Sequence, residues 1–267
     1  MDILRRELAP ISQQGWSEID AMARETLVAN LSGRKFIDVD GPYGIGHSCV
    51  TLGRLSVPKE QKGGRVKYGI HQVLPLIEAR VNFKLETWEL DNIGRGAKDV
   101  QLDALVAACR EIALFEEKTL FDCFKPGNID GLHATVKNRT LPLKLDMDMI
   151  VDTVAEGQTM MLKDGVEGPA NLVVSAPLWK FLARSAPGGT LRSTLESQIG
   201  GQVVYSECVR DALLVSARGG DLELTVGQDF AIGYHSHTVS DIDLFVTESF
   251  TFRVIAPEAL VGFSLNA

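Results

Sequence analysis

The sequence predicts an α+β protein, and three observations carry that prediction. Residues 99–124 read as one long amphipathic helix. Alternating apolar strands lie before it and again near the C-terminus, and between about 131 and 217 short strands and helices take turns. In the helix, Leu102, Leu105, Val106, Cys109, Ile112, Ala113, Leu120 and Phe124 recur at the spacing of a single face. Asp99 stands where a side-chain oxygen accepts from the free N–H groups of a first turn. Lys125-Pro126-Gly127 ends the pattern, because proline cannot continue the hydrogen-bond ladder. About 26 residues at roughly 1.5 Å each make a rod on the order of 39 Å long. That is long for a helix in a domain of ordinary size, and it marks the segment as a spine.

At 267 residues the chain holds one large domain or two ordinary ones. Its 45% hydrophobic and 23% charged content suits a chain that buries a sizeable core. The formal charge of −8, from 35 acids against 27 bases, comes without a dense Lys/Arg cluster. Phosphate neutralisation needs concentrated positive charge, so this balance speaks against nucleic acid as a partner. Cys49, Cys109, Cys123 and Cys208 form no CxxC pair and have no histidine at metal-ligand spacing. Free, mostly buried thiols in a reducing compartment are expected, with no metal. The N-terminus MDILRRELAPISQQGW has two arginines but no apolar run behind them, and no segment reaches the roughly 18 apolar residues of a membrane span. A soluble, cytoplasmic protein with no membrane partner is the expectation.

Taken in order, residues 12–31 read as a helix, with Ser12 at its cap, Trp16, Ile19, Ala23, Leu27 and Leu31 on one stripe, and Gly33 closing it. This stripe packs on the core; a sharper reading makes part of it a groove for a peptide partner. RKFIDV (34–39) reads as a short strand before the turn-rich 40–46. Its glycines lack the Lys and Ser/Thr of a phosphate loop. From 51 to 73 the pattern is strand, polar charged tip, strand. This long hairpin has too few apolar residues to build a core, so it collapses on its own domain or packs on a neighbouring chain. Val81, Phe83 and Leu85 form a strand with one buried face. After the spine, helices are expected at 146–163, 176–183 and 191–199, strands at 171–175, 203–206 and 212–216, and a small flexible loop around Ser185-Ala186-Pro187-Gly188-Gly189-Thr190. Alternation returns at Leu222–Val226 and from Ile242 to Val254, with a polar loop at 235–241 and a break at Pro257.

Catalytic patterns are missing: no GxSxG, no HExxH, and no GxGxxG between a strand and a helix. In His47-Ser48-Cys49, neighbouring side chains of an extended segment point to opposite faces and cannot make a triad alone. His235-x-His237 lacks a third ligand, and an exposed loop is the plainer reading. Asp146/Asp148 open a helix and Asp241/Asp243 flank a turn. Arg80 and Trp88 flank one strand at positions of the same parity. Exposed together they would hold a planar aromatic ligand such as a flavin by stacking and charge, but covering the core or a subunit contact is the simpler role for Trp88. Neither catalysis nor a resident cofactor is expected.

Ordered blocks along the whole chain resemble the encapsulin shell proteins, also described as linocin-type bacteriocin homologues. They include Trp16-Ser17-Glu18-Ile19-Asp20, Gly33-Arg34-Lys35-Phe36-Ile37-Asp38-Val39, Gly41-Pro42-Tyr43-Gly44, Leu74-Pro75-Leu76-Ile77-Glu78, Trp88-Glu89-Leu90-Asp91-Asn92, Asp164-Gly165-Val166-Glu167-Gly168-Pro169, Gly227-Gln228-Asp229 and Thr247-Glu248-Ser249-Phe250-Thr251-Phe252. The resemblance implies the tailed-bacteriophage major-capsid fold. A peripheral domain would occupy 1–50, 74–130 and 218–256, with an extended loop at 51–73, an axial domain at 131–217 and a C-terminal segment at 257–267. It implies an icosahedral shell of sixty copies or a multiple. That shell would enclose a cargo enzyme, a dye-decolorizing peroxidase or a ferritin-like protein, bound through a C-terminal targeting peptide. By the same resemblance the peptide binds at Leu27, Leu31, Arg34, Asp38, Phe230 and Ile232, and a five-fold pore loop runs through Ser185, Ala186, Pro187, Gly188, Gly189 and Thr190. Gly46-His47-Ser48-Cys49 departs from the family pattern. The alternative reading is a phage-derived capsid that packages nucleic acid, which the acidic balance disfavours.

Overall fold

The computed structural model describes residues 3–59, 65–186 and 189–265. In chain order the elements are α1 (Gln13–Asn30), β1 (Asp38–Asp40), β2 (Cys49–Ser56), β3 (Ile70–Pro75), β4 (Ile77–Glu86), α2 (Thr87–Arg95), α3 (Asp103–Phe121), α4 (Gly131–Thr135) and β5 (Thr140–Leu143). There follow α5 (Met147–Lys163), β6 (Ala170–Val174), α6 (Ala176–Leu182), β7 (Ser185–Ala186), β8 (Gly189–Thr190), α7 (Leu191–Ile199), β9 (Val203–Tyr205) and β10 (Ala212–Ser216). The chain ends with β11 (Leu222–Val226), β12 (Ala231–His237), β13 (Asp241–Val254) and β14 (Leu260–Leu265).

Two five-stranded sheets organise these elements. In the first, the 14-residue β13 is the axis. β4 runs antiparallel along one of its edges, while the other edge is shared by β12 at 242–247 and β11 at 250–254. β1 adds in parallel to β11. Helices α1 and α3 cover this sheet, and Ile19, Leu27, Leu105, Ile112, Leu244 and Val246 meet in one apolar core. The second sheet has the order β5-β14-β10-β6-β9 and packs with α5, α6 and α7. The chain enters it at 140, leaves after 216 for the first sheet, and returns with β14 between β5 and β10. A third cluster, including Phe36, Phe121, Val173, Leu213, Phe250 and Leu260, joins residues of both sheets. The hairpin of β2 and β3 forms a separate two-stranded sheet.

Several elements follow the sequence closely because local chemistry dictates them. Asp146 caps α5, its Oδ1 accepting from the backbone of Asp148 and Met149 at 3.2 and 3.1 Å. A reciprocal Thr190/Ser193 capping box starts α7, and Gly200 at φ 68° ends it.

The spine is shorter than expected. Residues 87–95, where Trp88 was expected to flank a strand, coil into α2, which Gly96 closes in the left-handed region. The following segment bends at Lys98 and Asp99 and is tied to α2 as the Gln101 N–H donates to Glu89 Oε1 at 2.8 Å, so Asp99 lies outside the helix and α3 begins at Asp103 without a side-chain cap. At the other end Gly131 (φ +73°) passes so close to Asp122 that a Cβ there would sit 2.1 Å from its carbonyl oxygen. The helix stops at Phe121 to make room, and 19 residues give a rod of roughly 28 Å.

Three further differences have clear causes. The expected strand 34–39 is a 3-10 turn over Gly33–Lys35 followed by β1, because Glu117 of α3 holds Ser32 and the Gly33 N–H. The expected loop 235–241 is mostly strand: β12 runs to His237, and a tight turn closed by Thr238 N–H to Asp241 O at 2.8 Å leads straight into β13. All four thiols are free, but only Cys109 is fully buried, with burial pushing it up to about 11; Cys123 is exposed and Cys49 and Cys208 are half-buried.

Candidate functional site

Between α1 and β12 lies a groove of about 710 Å³. The period of α1 places Ala23, Leu27, Val28 and Leu31 along one side, and β12 with its lead-in supplies Phe230 and Ile232. Arg6, held to Asp20 at 2.7 Å and lying 3.9 Å over the Trp16 ring, forms one end. Arg34, Lys35 and Asp229 also line it. Leu27, Leu31, Arg34, Phe230 and Ile232, which the family resemblance named, therefore line one groove. Leu27 and Leu31 are core residues that show the groove only their edges. The missed residue is Val28, which is 62% exposed and lines the groove. An apolar residue one position off the Leu27–Leu31 stripe was the signal available for it in the sequence.

Asp38 is elsewhere. Its Oδ2 accepts from the Gly220 N–H at 2.6 Å, and it faces a separate cavity of about 200 Å³ with Asn171 and Ser216, into which Arg34 and Lys35 also reach.

Beneath the groove is a buried ionic cluster that pattern reading did not anticipate. The Arg34 guanidinium donates to Glu116 through Nε (3.1 Å) and Nη2 (2.6 Å), to Asp229 through Nη1 (2.9 Å), and to Glu248 Oε1 through Nη2. It also lies 4.8 Å over the Phe230 ring. Burial works against the Arg34 charge, but the Glu116 hydrogen bonds and the charges of Glu116, Glu248 and Asp229 outweigh it and hold the guanidinium firmly protonated. Glu116 and Glu248 are each 0% exposed. Burial, then the Glu116 charge, pushes the Glu248 carboxyl well above the usual carboxylate range against the pull of Arg34. Next to this cluster, burial raises Glu117 to about 7 although Ser32 and the Gly33 N–H donate to it.

The chain matches a family described as "Encapsulating protein for peroxidase" over residues 1–251. It belongs to the encapsulin shell proteins. The type 1 encapsulin shell protein of Rhodospirillum rubrum is 37% identical over 268 residues, covering 98% of this chain and 96% of that protein. That of Brevibacterium linens is 34% identical over 268 residues, covering 99% and 100%. In fold the chain is similar to a virus-like particle from Pyrococcus furiosus (TM-score 0.63, 15% identity, 92% and 97% covered). It is likewise similar to Mycobacterium phage Bobi (TM-score 0.60, 13% identity, 89% and 91% covered). The tailed-phage capsid fold is thus the fold of this encapsulin, and its role is that of a structural shell protein forming a nanocompartment, not an enzyme.

Arg80 and Trp88 sit on different elements of the encapsulin, β4 and α2. Arg80 stacks 4.2 Å over Phe245, and Trp88 is 75% exposed. Ser185–Ala186 pairs with Gly189–Thr190 in a minimal two-stranded sheet; Pro187 and Gly188 lie outside the described residues. His237 bonds Tyr234, and His47 stacks 4.8 Å from Tyr43. Among the described residues no three His, Cys, Asp or Glu side chains group as a metal site, and no helix is long and apolar enough to cross a membrane.

Proposed function

We propose that this encapsulin closes into an icosahedral shell of sixty copies or a multiple in the cytoplasm. The shell encloses a cargo enzyme, a dye-decolorizing peroxidase or a ferritin-like protein, held by a C-terminal peptide in the groove between α1 and β12. The groove itself is the observation that carries this reading. An apolar trough edged by Leu27, Val28, Leu31, Phe230 and Ile232 accepts alternate side chains of an extended peptide, the arrangement such recognition requires. Each contact is weak, but many copies of the groove face one oligomeric cargo, so avidity supplies retention.

In this reading the first sheet with α1–α3 is the peripheral domain. The second sheet, including β14 from the C-terminal segment, is the axial domain. The β2–β3 hairpin is the loop that packs on a neighbour, and the stretch that carries β7 and β8 lines a pore admitting small substrates. Its residues are small, and the nearby Arg184 is turned onto the Phe181 ring at 4.1 Å.

Val28→Asp tests the groove better than a change at Leu31, which is 6% exposed and part of the core. Co-expressed with its cargo, the Val28→Asp protein should form normal shells that are empty of enzyme. Full loading would remove the groove assignment. A monomer or small dimer of the wild-type chain at micromolar concentration, seen by size-exclusion chromatography or electron microscopy, would remove the shell.

A further inference from the structure

Under the groove, two carboxyl groups with no exposure, Glu116 of α3 and Glu248 of β13, share one guanidinium. Glu116 takes two of its N–H directions, while Glu248 meets it through Oε1 only; no donor reaches Glu248 Oε2, and Glu248 and Glu116 are hydrogen-bonded to one another, which requires one of the two carboxyls to hold a proton. An ionised carboxylate with one oxygen bare in the interior carries a desolvation cost that a single shared cation does not offset. A carboxyl that has kept its proton does not. The third acid, Asp229, is the one member near the surface, with a side chain 47% exposed. Its Oδ1 also accepts from the Phe230 N–H at 2.9 Å, so where Asp229 goes, the groove wall follows.

We propose that Glu248 is a positioning residue of the groove that works as a neutral, protonated acid: with Glu116 it holds Arg34 where the guanidinium fixes Asp229 and Phe230, and peptide binding weakens in alkali when that proton leaves. The inference rests on the groove reading given above and adds its regulation. When Glu248 ionises, the buried pair carries two negative charges against one positive charge. Arg34 is drawn inward toward Glu248, and Asp229, the only acid free to move, is repelled into solvent with Phe230 attached to it. The charged groups facing Glu248 are Arg34 from the turn after α1, Glu116 from α3 and Asp229 from the turn before β12. β4 places Ala79 opposite it and adds no charge there. The sign agrees with the upward push that burial gives this carboxyl: the native wall binds the extra proton and is favoured until pH rises through the raised value.

The test uses assembled wild-type shells and a fluorescein-labelled peptide of alternating Leu and Ser, followed by anisotropy from about pH 6 to pH 10. Affinity should fall on the order of tenfold toward the alkaline end. Glu248→Gln, which copies the neutral acid, should bind as wild type does at pH 6 and lose the alkaline fall. Glu117→Gln, removing the neighbouring acid that burial raises to about 7, should leave the fall in place. A flat wild-type profile, or a fall that survives in Glu248→Gln, overturns the proposal. Should Glu248→Gln not assemble, the infrared carbonyl band of a protonated buried carboxyl in wild-type shells decides. Its presence at neutral pH and loss in step with binding support the proposal, and its absence overturns it. Equal binding of the peptide to wild-type and Val28→Asp shells at pH 6 would overturn the groove reading itself, and it would do so before any pH is varied.

Discussion

Arg34 and Glu116 pin the turn after α1 to the spine helix, with Nη2 and Oε2 2.6 Å apart at the base of the groove. The contact links residues 82 positions apart and uses the planar fork of arginine, which meets a carboxylate along two directions.

Arg34→Lys should therefore not be a mild change. An ammonium reaches one acid as a point charge and cannot hold Glu116, Glu248 and Asp229 together, which leaves a fully buried carboxyl short of a partner. A loss on the order of 3 kcal/mol per subunit is expected. It would be read as a lower thermal midpoint of the shells at fixed protein concentration, since assembly and stability are linked. A midpoint unchanged from wild type would mean the cluster contributes little.

Glu117 gives a second, separable expectation. Burial raises it from 4.5 to about 7, so the folded chain binds a proton that the unfolded chain has released between those values. Stability from this group is present in full below about pH 4.5 and is lost as pH rises to about 7, on the order of 3 kcal/mol per subunit. Glu117→Gln should flatten the dependence of the thermal midpoint on pH by one proton's worth in that window. An identical slope in both proteins would contradict the assignment.

How far the sequence spoke depended on whether the deciding interaction was local. Asp146, Thr190 and Gly200 act within a turn, and the helices they bound were legible to within a residue or so. The length of α3 was not, because Gly131 pressing on Asp122 and Glu89 holding Gln101 are contacts between separate segments. The groove was half legible: apolar periodicity marked Leu27 and Leu31, and family resemblance added Phe230, Ile232 and Arg34. No spacing rule could join Arg34 to Glu248 across 214 residues or send Asp38 to Gly220. Residue type located the parts; only the fold shows that Arg34 is already committed to three acids.

The β2–β3 hairpin should decide assembly and nothing inside the subunit. Leu55 of β2 and Ile70 and Val73 of β3 are exposed, Val57 and Val66 are exposed just beyond these strands, and β2 and β3 pair only with each other. Apolar side chains bared on a two-stranded ribbon are unstable in water unless another surface covers them. Ile70→Glu removes about 2 kcal/mol of apolar burial at every copy of the contact. Far-UV circular dichroism should stay as in wild type while size-exclusion chromatography moves from shells to small species. Intact shells at the same concentration would show that the hairpin is not the joint.

Gly233 of β12 faces Phe245 of β13 directly, and the ring lies across the glycine: a Cβ at 233 would sit 2.1 Å from Phe245 Cζ. The ring cannot move outward freely, because Arg80 of β4 stacks 4.2 Å over it. Phe245 is thus clamped between a backbone and a guanidinium, and Ile232, next along β12, is a groove residue. Gly233→Ala should cost about 1–3 kcal/mol through overpacking. The displaced strand should also weaken cargo loading, although residue 233 touches no peptide. Arg80→Ala opens the outer side of the clamp, so the double variant should recover part of the thermal midpoint lost in Gly233→Ala alone. If the two losses simply add, the ring is not held between them.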